Sequence, residues 1–182
     1  MDRRDFIKKA TMAAATAAVV SPVSAMINTV TGKKCKVLLI NGTQAEQDAI
    51  ATTTVINNAR STNPDSNLEE WNNGANQYAS DTPTEDKIFL LSEQEATKTY
   101  YGFAAYDQEG IGNTRIRMTT DYAQANGAYQ NSTAGYGGYW WLRSPDYGGS
   151  SAAHNISSSG YAYDGHIVNY DDFGVVPALW LN

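Results

Sequence analysis

The side chains of this sequence best suited to chemistry gather near its C-terminal end: His154 and His166, with Asp164, Asp171 and Asp172 around them. Imidazole and carboxylate are metal ligands, yet the spacing of this set matches no recurrent ligand pattern, so surface contacts describe it better. Asn169, Asp171 and Asp172 could offer oxygens to calcium, but the sugar-binding signatures E-P-N, Q-P-D and W-N-D are missing. Gly135-Tyr136-Gly137-Gly138 has the glycines of a phosphate loop without the Lys-Ser/Thr that completes one, and it leads into a strand instead of a helix. No G-x-S-x-G elbow and no dinucleotide fingerprint occurs. The expectation is a protein with no catalytic residues, no metal and no cofactor.

The segment from 144 to 173 has a different use. Tyr147, Tyr161, Tyr163 and Tyr170 alternate there with Ser, Gly, Asn and Asp. Tyrosine offers broad contact area at low entropic cost, and the small polar residues offer adaptable hydrogen bonds, the mixture that paratopes favour. The candidate contact residues are Tyr147, Ser150, His154, Tyr161, Tyr163, Asp164, His166, Asn169, Tyr170, Asp171 and Phe173. Ala153, Ile156, Gly160, Val168, Gly174, Val175, Pro177 and Leu179 are expected to stay in the scaffold.

Such a surface needs a stiff support, and the preceding block, Tyr139-Trp140-Trp141-Leu142-Arg143-Ser144-Pro145, suits one. In a strand, alternate residues face opposite sides, so Trp140 and Leu142 point into a core while Trp141 and Arg143 face elsewhere. Ala152 to Ile156, Tyr161 to Asn169 and Gly174 to Leu181 read as further strands separated by turn signals. Upstream, CKVLLI (35–40) reads as a buried strand. Thr43-Gln44-Ala45-Glu46 has capping-box spacing for a helix to about Ile50. Thr52 to Ile56 argues for a strand, with a longer helix through Ala59 as the alternative. Residues 57–84 read as a long surface loop. Lys87 to Leu91 restores a strand, Ser92-Glu93-Gln94-Glu95 opens a helix to about Tyr101, and another is expected from Thr120 to Ala125, ended by Gly127. Short helices first and short strands last is an α+β pattern.

The chain has 182 residues, 42% of them apolar, enough for one domain. Residues 1–25 read as an export signal, with a basic start, an Ala/Val-rich middle and Val23-Ser24-Ala25 as a cleavage site; Arg3-Arg4 before Phe6, Ile7 and Lys8 resembles a twin-arginine signal. Periplasm or cell surface is the expected location. An amphipathic helix docked on the domain is the alternative. Removing the signal takes the net charge from -6 to -8, which does not suit nucleic-acid binding. No run of about 20 apolar residues follows it, so no membrane span is expected in the mature chain. Residues 26–34 form a linker and 35–182 the domain. The single cysteine, Cys35, is read as a structural thiol and forbids an intrachain disulfide.

DKIFLLSEQEA (86–96), RMTTDYA (117–123), WWLRSP (140–145) and GVVPALWLN (174–182), with Ala153, Asn155, Ile156, Gly160 and Val168 spaced between, resemble the WWLRSP family, DUF6273. Val176 stands where relatives commonly have arginine, whose loss would leave any acceptor partner unpaired. The resemblance implies an α+β, C-type-lectin-like fold shared with formylglycine-generating enzymes, with short helices and a C-terminal antiparallel β-sheet over 140–182. Those enzymes use cysteines in their C-terminal part that this chain lacks. It also implies likeness to the variable proteins of diversity-generating retroelements, whose reverse transcriptase acts on the gene and rewrites adenines near its 3′ end. Diversified AAC-type codons cannot yield Lys, Glu, Gln, Met or Trp, and residues 144–174 contain none of these five. The resemblance therefore assigns 146–173 as a variable region on a scaffold that includes Trp140, Trp141, Arg143, Gly160, Gly174 and Pro177, binding an unknown protein or glycan. A fixed structural or glycan-binding envelope module of the same fold is the alternative.

Overall fold

A computed structural model describes residues 44–58, 62, 77–146, 149–162 and 165–182. The expected export signal, the linker, the strand 35–40 and most of the loop 57–84 lie outside the described residues. Helix α1 (Gln44–Asp48) carries an i to i+4 bond in which Gln44 Nε2 donates to Asp48 Oδ1 at 2.7 Å. The β-branched run after it forms strand β1 (Thr53–Val55), not a longer helix. It pairs antiparallel with β2 (Thr84–Asp86), where the Thr54 hydroxyl donates to Glu85 Oε1 at 2.6 Å.

Strand β3 (Phe89–Leu90) leads into helix α2 (Glu93–Ala96). Ser92 caps α2 in a complete capping box: its hydroxyl accepts from Glu95 N, and the Glu95 carboxylate accepts from Ser92 N at 2.9 Å. The helix ends four residues later, before the expected Tyr101. The Thr97 hydroxyl donates back to Glu93 O at 2.8 Å, and a separate 3₁₀ turn (Thr99–Tyr101) follows. Helix α3 (Asp121–Ala125) starts at its Thr120 cap.

Strand β4 (Trp140–Pro145) has the alternation its sequence predicts, with Trp140, Leu142 and Ser144 buried and Trp141, Arg143 and Pro145 half-buried. It lies in a sheet of order β6-β5-β4-β7, where β5 is Ala152–Ile156, β6 Gly165–Ile167 and β7 Gly174–Val175. The last strand, β8 (Pro177–Ala178), leaves this sheet to pair with β3. Trp140, Leu142, Ile156, Ala96 and Ala162 form the apolar core, with Leu91, Tyr106 and Val176 packed against it. Val176 therefore fills a position read as arginine in relatives with apolar contact. Each large apolar side chain buried here contributes about 1.5–3 kcal/mol. Short helices with mostly antiparallel sheets make the fold α+β.

One pairing departs from the expected antiparallel sheet: β7 runs parallel to β4, with Trp140 opposite Gly174 and Trp141 opposite Val175. Strands β6 and β7 are opposite edges of the sheet, so residues 168–173 must carry the chain across β5 and β4. That is about 14 Å at ordinary strand spacing, within reach of a link this short. The crossing brings the chain back in the direction of β4.

A buried arginine fixes the adjoining loop. Arg115 is fully buried, and its Nε donates to Gly160 O at 2.7 Å. Its Nη atoms donate to the carbonyls of Ala104, Ala105 (2.9 Å), Tyr106 (3.5 Å) and Gln108 (2.5 Å). Burial lowers its pKa to about 10, which leaves it charged at neutral pH. Its own carbonyl accepts from Trp140 Nε1 at 3.2 Å, so the loop is tied to the core tryptophan.

Candidate functional site

Sheet register decides which residues reach the outer face. Antiparallel partners share a face, so Trp141 and Asn155 lie together, as do Ala153 and His166, opposite the side where Trp140 and Ile156 meet the core. The crossing segment 168–173 passes over this outer face and lays Phe173 among its rings. Phe173 stacks on Tyr139 with centroids 4.8 Å apart and rings 13° from parallel. It also touches Trp141 at 4.7 Å, His166 at 5.2 Å and Tyr170 at 5.4 Å. Tyr129 extends the cluster, 5.5 Å from Tyr139, and its backbone N–H holds Asp172 O at 2.8 Å. The offset and edge contacts suit the quadrupoles of the rings. Tyr170, 46% exposed, forms the outermost tip of the cluster.

His166 is positioned from beneath. Its Nδ1 lies 2.9 Å from Asn155 Nδ2, a contact that fixes the orientation of the ring. In the same C-terminal region, Ser150, Asn169 and Asp171 are exposed and Asp172 is half-buried. Among the described residues, neither the Asp171 nor the Asp172 carboxylate has a hydrogen bond or ion pair. Within 144–182 there is no lysine or arginine at all.

The structure thus unites His166, Tyr170 and Phe173 of the expected contact residues, with Ser150, Asn169 and Asp171 on exposed positions of the same C-terminal region. Tyr161 is half-buried and engaged in a turn, its N–H donating to the Ser157 hydroxyl at 3.1 Å and its carbonyl accepting from Ser157 N. Tyr147, Tyr163 and Asp164 lie outside the described residues.

His154 is a correction. It is 1% exposed, on the core side of β5, with Nδ1 3.3 Å from the Glu93 carboxylate. The reason is parity: Ile156 points into the core, and His154, two residues earlier, must share that face, while the scaffold residue Ala153 between them pairs outward with His166. His154 and His166 consequently sit on opposite faces of the sheet. Among the described residues, no three His, Cys, Asp or Glu side chains come together as a metal set.

The scaffold residues hold the face in place. Arg143 makes a two-pronged ion pair with Glu95, one arm at 3.0 Å, and donates to Leu90 O at 2.9 Å and Ile56 O at 3.2 Å. Gly160 has φ +84, and a Cβ there would lie 2.6 Å from the Asn113 side chain, so both conformation and space require glycine. Gly174 N donates to Tyr139 O at 2.8 Å, and Pro177 lies in β8. In the glycine-rich approach to β4, a Cβ on Gly137 would meet Arg117 O at 2.1 Å. Those glycines serve close backbone packing.

Tyr129 and Tyr139 were not expected in the cluster. Tyr139 has a usable signal, since it shares parity with Trp141; Tyr129 comes from a remote loop and has none. No helix among the described residues is long and apolar enough to cross a membrane. Compared with known proteins, the chain matches no curated protein and no solved structure. The family model described as "Domain of unknown function (DUF6273)" matches residues 38–182, most of the chain and all of the C-terminal sheet. This protein belongs to the DUF6273 family.

Proposed function

We propose that this is an exported, non-catalytic ligand-binding protein with a C-type-lectin-like fold, whose outer C-terminal face is diversified in the manner of retroelement variable proteins. The observation that carries this reading is the aromatic face itself. His166, Tyr170 and Phe173 come from the soft segment, whereas Trp141 and Tyr139 come from the rigid block beneath, so a variable layer rests on a constant one. Such a surface binds by complementarity and loses little entropy when it does so. The absence of Lys, Glu, Gln, Met and Trp from 144–174 fits adenine-directed change in its codons.

The test is deep sequencing of the 3′ end of the gene across a population of the source organism. Substitutions concentrated in codons 146–173 and sparing 140–145 and 174–182 are expected. Uniform codons overturn the diversified reading. The flat Tyr139/Phe173 stack favours a second reading, a fixed glycan-binding envelope module, because aromatic planes suit the C–H faces of sugars. A glycan-array signal reproduced across natural variants would select it.

A further inference from the structure

Resting on that ligand-binding reading, we infer that the aromatic face takes a cationic protein segment, one that presents arginine or lysine side chains to Tyr170 and to the Asp171 and Asp172 carboxylates.

Charge complementarity carries this. The crossing segment 168–173 carries Asp171 and Asp172 and no lysine or arginine. The nearest guanidinium in sequence, Arg143, is already engaged by Glu95, so it does not offset the rim. Asp171 and Asp172 immediately precede Phe173 on the crossing segment and, among the described residues, their carboxylates are left without partners inside the protein. Two carboxylates without partners disfavour phosphates, acidic sugars and acidic peptides as ligands of this rim.

The rings favour the same partner. A guanidinium or ammonium group stacks on the negative face of an aromatic ring, and arginine does so most readily. Tyr170 offers an exposed ring and is followed in the chain by the exposed Asp171, so a cationic segment lying along this stretch meets both a ring and a carboxylate. The tight Phe173, Tyr139 and Trp141 packing beneath leaves that ring rigidly placed. Neutral sugars would use the rings and donate hydroxyls to the carboxylates, without the ion pair that a cation adds.

The experiment is calorimetric titration of the full chain with three probes: an arginine-containing decapeptide, an acidic decapeptide of equal length and a neutral oligosaccharide, each at low and moderate salt. Binding of the basic peptide alone is expected, weakening as salt rises. D171N/D172N should lower its affinity about fivefold, and Tyr170→Ala by a similar factor, as exposed pairs of this kind do. D81N/E85Q, which removes the same charge from the β1–β2 region, should leave it unchanged. Equal loss in that control would show a response to net charge and overturn the inference. So would preferred binding of the acidic peptide or the sugar, although the ligand-binding reading would survive. No binding of the basic peptide also overturns it, and the ligand-binding reading is then judged separately by the codon survey.

Discussion

At the scale of single residues, the informative groups are the polar ones the sheet has buried. Glu93 is fully buried, its carboxylate 3.3 Å from His154 Nδ1, and burial raises its pKa above the ordinary 4.5. His154, Arg115 and Asp146 are the charged or titratable groups that act on it, the first two opposing the rise and Asp146 adding to it. A raised carboxyl pKa means the folded state holds its proton more tightly than the unfolded one. Its stabilising contribution is complete below the unfolded value and is lost as pH rises through the folded one. Glu93→Gln, which keeps the shape and removes the ionisation, is therefore expected to gain stability relative to wild type as pH is raised, in melting curves from mildly acidic to neutral pH. A difference that shrinks with pH would show the charged pair to be favourable. Arg115→Met, by contrast, leaves five backbone carbonyls without their donor and should cost about 3 kcal/mol or more, read as a lower urea midpoint. Neither residue was legible from the sequence. Glu93 looked like an ordinary first-turn acid, and Arg115 had no marker of burial, because its partners are carbonyls, which every residue possesses. His154 was legible in principle, since the alternation that places Ile156 inside places it inside as well.

At the scale of elements, the Ser92 capping box does more than start a helix of four residues. Its Glu95 carboxylate also receives Arg143 of β4, so α2 and β4 are joined by one side chain. Glu93 N donates to the Ser144 hydroxyl at 2.8 Å, and that hydroxyl donates to Thr62 O at 2.8 Å, which adds a second tie between the same elements. Ser92→Ala is expected to cost about 1 kcal/mol, the ordinary worth of a cap. Glu95→Ala should cost about 2 kcal/mol or more, because it removes the return bond of the box and strands a largely buried guanidinium. A double-mutant cycle of Glu95→Ala with Arg143→Ala in urea denaturation should give a coupling above about 1 kcal/mol, and additivity would show the pair to be independent. The Ser92 capping box, β4 and β5 were legible because their signals are local: a Ser with Glu three residues on, and alternating bulky residues. The early end of α2 was not, because it depends on the Thr97 hydroxyl turning back to Glu93 O. The parallel β7 was not legible either, because strand order is set by where the crossing segment lands and not by the composition of the strand.

At the scale of the whole molecule, a polar-rimmed aromatic surface is laid over a core of few but large side chains, and the two halves of that arrangement were unequally legible. The contrast between YWWLRSP and the soft segment after it marked floor and surface in the sequence. The path of 168–173 over the outer face, which brings Phe173 onto Trp141, appears only once the strand order is known. If the outer layer is free to vary, the stability of the fold must not depend on it. A variant with Ser150, Asn169, Tyr170 and Asp171 all changed to alanine alters only exposed side chains. Each such change is worth about 0.5 kcal/mol at most, with somewhat more at Tyr170 for its ring contacts. Trp140→Ala alone removes the largest fully buried side chain and should cost about 3–5 kcal/mol. In thermal melts the fourfold variant is expected to stay within about 5 °C of wild type, while Trp140→Ala falls by about 10 °C or more. The reverse order would mean that the rim supports the core, and a surface of that kind could not be rewritten from one copy of the gene to the next without losing the fold.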